Sequence, residues 1–350
     1  MLFSRGSKST VGLDIGANSV KMVRLTQSKN GYVVNSMAIR ELPPEAIVTD
    51  EIRDREAVIF SIQSVMDECD IVTKDVVVSL SGHALITDKL VIDKKSGAEA
   101  EQAILFEAEQ RSPFDVEDVA LDHHVIRLNE DTNKMEILLV AARKEFLQAY
   151  LSLIIDCGLN PVIVDTDAFA VYNAYVNNYE VDPNRVTALV NMGQDVTNVL
   201  YLKDGIYHST RDVAVGTRGI FNSIQQEFRL NHELTNKTLQ GEMEGSIDQD
   251  MLKATIVSAT EEIINGLELA FNYFKSQANI DIIDWMVLSG GGALIPFLPE
   301  YLQSKMQIPL EIFNPLRNIE YDPERLEGLQ PEKIAPLLTV PIGMAMRKVG

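Results

Sequence analysis

Cysteine is nearly missing from this chain: Cys69 and Cys157 are the only two, far apart and in no CxxC arrangement. That excludes a disulfide framework and fits a reducing compartment, with both thiols filling core space. Long apolar runs are missing too. No stretch approaches the ~20 residues a spanning helix needs, and Met1–Thr10 is short, polar and basic, without the apolar centre of a secretion signal. A soluble, intracellular chain is expected, reaching a membrane only through a tether. Basic residues are scarce, with 31 Lys and Arg against 51 Asp and Glu and a formal charge of −20. Such a surface repels nucleic-acid phosphates and anionic lipid headgroups. Any phosphate ligand must therefore be captured locally, by backbone N–H groups, helix ends, a lysine or a metal. Histidine offers no metal cluster: His123 and His124 are adjacent and point to opposite faces of a strand, while His83, His208 and His232 stand alone.

What is present is ordinary for a globular protein, 46% hydrophobic and 23% charged. At 350 residues the chain is too long for one core, so two domains are expected. Two segments support that division. Val11-Gly-Leu-Asp-Ile-Gly-Ala-Asn-Ser-Val-Lys-Met-Val-Arg-Leu25 leads to Lys29-Asn-Gly-Tyr32, and Ala188-Leu-Val-Asn-Met-Gly-Gln-Asp-Val-Thr-Asn-Val-Leu-Tyr-Leu202 leads to Lys203-Asp-Gly-Ile206. Each reads as strand, glycine turn, strand and second turn. Asp14 matches Asn191 and Gly16 matches Gly193, 177 residues apart. Two similar halves are expected, each opening with a β-hairpin.

Between the repeats, the spacing predicts strands at 75–80, 84–92, 119–128, 135–142 and 161–164. Helices are expected over 98–111, stopped by Ser112-Pro113, and over 144–157, closed by Gly158. This β-α-β-β-α-β order suggests a small α+β insert in the first half. Later, a long amphipathic helix is expected over 255–277, then a strand at 285–288, the Gly290-Gly-Gly292 run, and a helix over about 295–306.

Several of these residues are suited to holding a nucleotide. Asp14, at a strand end, can hold Mg²⁺ through waters, because magnesium keeps much of its hydration shell. Gly16 to Val20 can offer amides to a phosphate, and Lys21 a positive charge. Gly290 to Gly292 have no Cβ, so backbone N–H groups can approach a ligand beside a helix N-terminus. Taken singly, each feature is equally a solvated hairpin or a tight connection. Asp165 and Asp167, ahead of a helix over 168–176, read as capping residues. The pair Glu261-Glu262 reads as a solvated helix face.

Together, the two hairpin turns and the late glycine run resemble the actin/Hsp70/sugar-kinase superfamily, in the superfamily's order and approximate spacing. Within it, the chain is similar over essentially its whole length to the PilM family of type IV pilus assembly proteins, relatives of FtsA. That likeness rests on Val11-Gly-Leu-Asp-Ile-Gly16, Glu107-Ala-Glu-Gln-Arg-Ser-Pro-Phe114, Leu139-Val-Ala-Ala142, Cys157-Gly-Leu159 and Val164-Asp-Thr-Asp-Ala-Phe-Ala170. It extends through Phe271-Asn-Tyr-Phe274 and Leu288-Ser-Gly-Gly-Gly-Ala293. The resemblance implies an α/β, actin-like (ribonuclease H-like) fold of two domains around a nucleotide cleft. Domain I would span 1–180, with an FtsA/PilM-type insert at about 84–160, and domain II 181–340. The end of the C-terminal helix, 341–350, would pack back on domain I.

The same resemblance implies ATP and Mg²⁺ as ligands. Asp14 would be the magnesium-coordinating aspartate, and Gly16, Ala17, Asn18, Ser19, Val20 and Lys21 the first phosphate loop. Asn191, Gly193, Gln194 and Thr197 would form the second, and Gly290, Gly291, Gly292 and Ala293 the adenosine loop. Gly216 would lie near the ribose, with Thr217 where the family usually has a second glycine. Active members carry an aspartate where this chain has Asn191. An amide neither attracts Mg²⁺ nor raises the basicity of water, so slow or absent turnover is expected. The implied role is a cytoplasmic scaffold of the pilus assembly platform. It would bind the cytoplasmic N-terminal tail of PilN in a groove beside the insert and touch other cytoplasmic pilus components or motor ATPases. The alternatives are an FtsA-like filament protein and a small-molecule kinase of the same superfamily. The first is disfavoured because no spare amphipathic tail follows Met344-Ala-Met-Arg-Lys-Val-Gly350. The second lacks an obvious acceptor-side base.

Overall fold

The computed structural model describes residues 9–49, 51–82, 85–111, 115–242, 247–326 and 330–349. The N-terminal Met1–Lys8, the pair His83 and Ala84, and the Ser112-Pro113-Phe114 stop lie outside the described residues.

The β-branched run Val76-Val-Val78 is wholly buried, as expected of a central strand covered on both faces. It belongs to a six-stranded sheet ordered Asn160–Thr166, Asp75–Leu80, Ser9–Ile15, Ser19–Ser28, Gly31–Glu41 and Ile319–Tyr321. Ser9–Ile15, Ser19–Ser28 and Gly31–Glu41 form an antiparallel meander, while Asp75–Leu80 runs parallel to Ser9–Ile15. The second sheet repeats this plan, ordered Ile206–Val213, Thr197–Lys203, Thr187–Met192, Trp285–Ser289 and Leu310–Ile312. Its first three strands form the matching meander, and Trp285–Ser289 runs parallel to Thr187–Met192. The two hairpin turns close alike: Gly16 N donates to Ser19 O at 3.1 Å and Gly193 N to Val196 O at 3.0 Å. The internal repeat is therefore a structural duplication.

Helix Asp167–Asn178 lies between the sheets. Its Ala170 and Tyr175 share one core with Val23 and Val34 of the first sheet and with Leu189, Leu200 and Val287 of the second. Although Ile319–Tyr321 comes late in the chain, it pairs with Gly31–Glu41 of the first sheet. Helix Thr339–Ala345 then packs backbone to backbone on Asp167–Asn178, where a Cβ on Gly343 would lie 1.8 Å from the Ala170 carbonyl oxygen.

The insert is smaller than the spacing predicts. Strands Leu85–Asp93, Lys134–Arg143 and Val119–Asn129 form an antiparallel sheet. Helix Ala98–Arg111 covers it through Ile104 and Ala108, against Leu90 and Ile137. Helix Lys144–Asp156 belongs elsewhere: Tyr150, Leu153 and Ile154 enter the core of the first half beside Val11, Leu13 and Val78. Two further boundaries move. The long helix begins at Gln249, two turns before Thr255, because the Asp248 carboxylate caps it by accepting from Asp250 N and Met251 N. The triple glycine itself enters a short 3₁₀ turn, Gly291–Leu294, and the helix starts only at Leu298. Its N-terminus is not directly behind the glycines.

Candidate functional site

A cavity of about 230 Å³ lies between the two hairpin tips. Asp14, Gly16, Ala17, Asn18, Ser19 and Lys21 face Asn191, Gly193 and Gln194 across it, and Gly290 and Gly291 close a third side. Gly290 has φ 79°, and a Cβ there would lie 2.5 Å from Met192 O and 2.8 Å from Asn191 Oδ1. The glycine run thus lets this turn press against the second hairpin. Other residues expected at the site stand back from the cavity wall. The Val20 side chain is fully buried in the first-half core. Thr197 is fully buried and donates to Val215 O at 2.8 Å. Gly292 is buried against Met192, Ala293 joins the second-half core, and Gly216 lines a neighbouring cavity of about 700 Å³.

Register accounts for the polar pairs. Asp14 sits opposite Lys21 in the first hairpin, and Lys21 Nζ donates to Asp14 Oδ2 at 2.9 Å, both side chains nearly buried. Buried this deeply, neither charge stands alone. The matching position in the second hairpin pairs Asn191 with Asn198, with Asn191 Nδ2 donating to Asn198 Oδ1 at 3.3 Å. Ser289 Oγ is 3.3 Å from Asn191 Oδ1, and Asn198 Nδ2 donates to Asp212 Oδ1 at 2.8 Å. The first half answers with Gly82 N, which donates to Asp212 Oδ2 at 3.0 Å. Burial raises the Asp212 carboxyl above the ordinary carboxylate range.

Asp167 is the functional candidate that its local sequence hides. Capping of helix Asp167–Asn178 falls to Thr166, whose side chain accepts from Phe169 N at 3.2 Å. Asp165 accepts from Thr166 N and approaches Arg347 Nε at 3.4 Å. Asp167 instead lines the cavity and accepts from Ser79 Oγ at 2.5 Å. Burial, then the nearby Asp14 carboxylate, push it up to about 7. Capping is thus corrected to a cleft-facing carboxyl for this residue. Among the described residues, no group of three His, Cys, Asp or Glu side chains could by itself hold a metal ion. A cation here would depend on Asp14 with water or ligand oxygens.

Carboxylates also fasten the two halves across the cleft. Glu41 accepts from Asn236 Nδ2 at 3.0 Å and from Gln240 Nε2 at 3.4 Å. Asp195 holds the Arg218 guanidinium with both oxygens and accepts from Thr49 N at 3.0 Å. The acidic pair on the long helix divides: Glu261 is bonded by Tyr301 Oη and Lys305 Nζ, and Glu262 lines the larger cavity.

Residues 12–349 match the family described as type IV pilus assembly protein PilM. The chain belongs to that family. A solved structure described as a PilM-PilN type IV pilus biogenesis complex is 24% identical with a TM-score of 0.83, covering 96% of this chain and 97% of that one. Ethanolamine utilization protein EutJ from Carboxydothermus hydrogenoformans is 13% identical with a TM-score of 0.57, covering 97% and 89%. A diol dehydratase-reactivating factor in nucleotide-free form is 9% identical with a TM-score of 0.53, covering 96% and 99%. These likenesses establish the fold of the PilM-family chain as mixed α/β and actin-like. Among the described residues no helix is long and apolar enough to cross a membrane.

Proposed function

We propose that this PilM-family chain is an ATP-binding scaffold of the type IV pilus assembly platform. The observation that carries the reading is the meeting of both hairpin tips and the late glycine turn on one cavity that also contains the Lys21–Asp14 pair. Phosphates are held by such turns through backbone N–H groups. Asp14 would hold Mg²⁺ through water, Lys21 would neutralise phosphate charge, and Gly290 and Gly291 would admit the adenosine. When bound, Mg-ATP supplies a polarised terminal phosphate open to attack by water. The chain's own contribution to that attack is small. Asn191 accepts from Ser289 and engages Asn198, bringing no charge to metal or water. Asp167, pushed up to about 7 by burial and the Asp14 carboxylate, lies in the range suited to a general base, so slow turnover rests on the charge missing at Asn191. Binding with slow or absent hydrolysis follows.

The cavity alone is below the roughly 300–1,000 Å³ of most small-molecule sites, so a whole nucleotide would part the halves or extend into the cavity of about 700 Å³ that shares Asp167, Gln194 and Asn198 with it. On parting, Glu41, Asp195 and Asp212 would yield first, and partner affinity would respond to that movement. Likeness to the PilM-PilN complex supports a PilN protein as the partner, and we take its cytoplasmic N-terminal tail, seated in a groove beside the insert, as the binding mode. Such a tether would hold an acidic cytoplasmic protein at the inner membrane without lipid contact of its own.

The test is chromatography of the nucleotide released on denaturing freshly purified protein. Intact, near-stoichiometric ATP supports a tight site with crippled hydrolysis. Mostly ADP would replace the static scaffold with a turnover cycle. An empty site that also ignores added Mg-ATP would sink the nucleotide reading.

A further inference from the structure

Strand Val119–Asn129 is the outer strand of the insert sheet. It pairs with Lys134–Arg143 on one side and, among the described residues, with no strand on the other. Asp122 to Val125, Arg127 and Leu128 are exposed, Val125 by 40% and Leu128 by 50%. A long edge with apolar side chains and neither lysine nor proline is a template for pairing with another strand. Its charge is unusual for this chain. Against a total of −20, the strand carries one acid, Asp122, and one base, Arg127. Asp122 accepts from its neighbour His123 N at 2.8 Å. Among the described residues neither it nor Arg127 forms a salt bridge.

The order of side chains along this edge is self-complementary, and a bulge makes it so. Pairing with Lys134–Arg143 steps from Val125↔Ile137 to Arg127↔Glu136, leaving Ile126 extra. Ile126 turns instead onto the core between the halves. In a regular strand, residues five apart point to opposite faces. Here Asp122 lies opposite Val140 and Arg127 opposite Glu136, four residues along the partner strand and so on one face. Leu121, opposite Ala141, and Leu128, opposite Met135, share the other face. Laid antiparallel on a second copy about His124, this strand sets Asp122 against Arg127 and Leu121 against Leu128. The two-fold axis repeats each pair.

We infer that a second copy of this chain docks here, through an isologous pairing of the Val119–Asn129 strands that joins two insert sheets into one of six strands. Backbone hydrogen bonds supply the attraction, and the crossed Asp–Arg and Leu–Leu pairs fix the register. The contact is narrow, below the size of most permanent interfaces, so the dimer depends on concentration.

Sedimentation equilibrium of the full chain over a wide concentration range tests this. Wild type is expected to dimerise. Asp122→Arg or Arg127→Asp alone places like charges opposite each other twice and weakens the dimer about tenfold or more. The double exchange D122R/R127D restores the opposite-charge pairs and the dimer with them. Val125→Pro places in the edge strand a residue that cannot donate to a ladder and should leave monomer, with circular dichroism confirming the fold. A monomer at every concentration would mean that any occupant of this edge is a different chain, and would overturn the inference. A dimer indifferent to the single exchanges, or one the double exchange fails to restore, would overturn it equally.

Discussion

Asp167→Asn isolates the most perturbed carboxyl facing the cleft. A carboxyl moved from 3.8 to about 7 binds a proton in the folded state across a window where the unfolded chain has released it. Folded protein then holds more protons than unfolded protein, so stability falls as pH rises from about 4 to about 7 and levels off above. At 1.36 kcal/mol per pH unit the full window is worth about 4 kcal/mol, and about 2–4 kcal/mol is a sensible range for one buried group. Asparagine keeps an acceptor for Ser79 Oγ and cannot ionise. The variant should match wild type near pH 5 and surpass it near pH 8.5. For a chain of this length melting as one unit, about 3 kcal/mol corresponds to about 4 °C.

The assay is a set of thermal melts of nucleotide-free protein across that pH range, with chelator present because a cation at Asp14 would lower the nearby carboxyl. Burial also raises Asp212 and Asp165, so both proteins will show some residual slope. The difference between the two proteins is what reports Asp167. If that difference stays constant with pH, or if asparagine melts lower at pH 8.5, Asp167 is not a proton-holding carboxyl and the geometry assigned to it is wrong.

Gly343→Ala drives a Cβ against the Ala170 carbonyl oxygen; a loss of about 3 kcal/mol or more is expected as a lower melting temperature. Glu41→Ala removes the acceptor of Asn236 and Gln240, and stopped-flow binding of a fluorescent ATP analogue should show association and release about tenfold faster. Asn191→Asp supplies a second carboxylate facing Asp14, so calorimetry should find ATP affinity more dependent on Mg²⁺ by about tenfold, with weaker binding when chelator is present.

Sequence made the hairpins legible because their chemistry is local. Asp14, Gly16, Lys21 and their counterparts lie within eight residues, and a strand–turn–strand pattern places them on facing register positions. The strands at 75–80 and 285–288 were equally readable from short β-branched and apolar runs between turn residues. What stayed hidden depends on distant partners. Asp167 has the local appearance of a cap, and only the fold shows Thr166 taking that role while Asp167 meets Ser79 and Asp14. Glu41 and Asp195 carry no local signal of their roles, because Asn236, Gln240 and Thr49 approach them only once the halves come together. Helix Lys144–Asp156 has an apolar face that would suit the insert or the main sheet. Its burial beside Leu13 and Val78 decides the matter. The bulge at Ile126 follows from a contact with the core between the halves that no local pattern records.

The duplication sharpens the meaning of Asn191. Matching positions hold Asp14 with Lys21 in one half and Asn191 with Asn198 in the other, so one hairpin carries a neutralised pair and its copy carries two amides. Three further carboxyls already crowd this region: Asp167 on the wall, Asp212 behind Asn198 and Asp195 beside Gln194. A further acid at position 191 would still accept from Ser289, but it would lose the bond that Asn191 donates to Asn198 Oδ1 and would raise the repulsion around Asp14 and Asp167 whenever metal is absent. Asparagine makes both hydrogen bonds without that cost. The closed cleft, held by Glu41, Asp195 and Asp212, is then compatible with a cation-free state. A chain that must stay folded and available between nucleotide encounters gains from the amide. A chain that must hydrolyse quickly would need the acid.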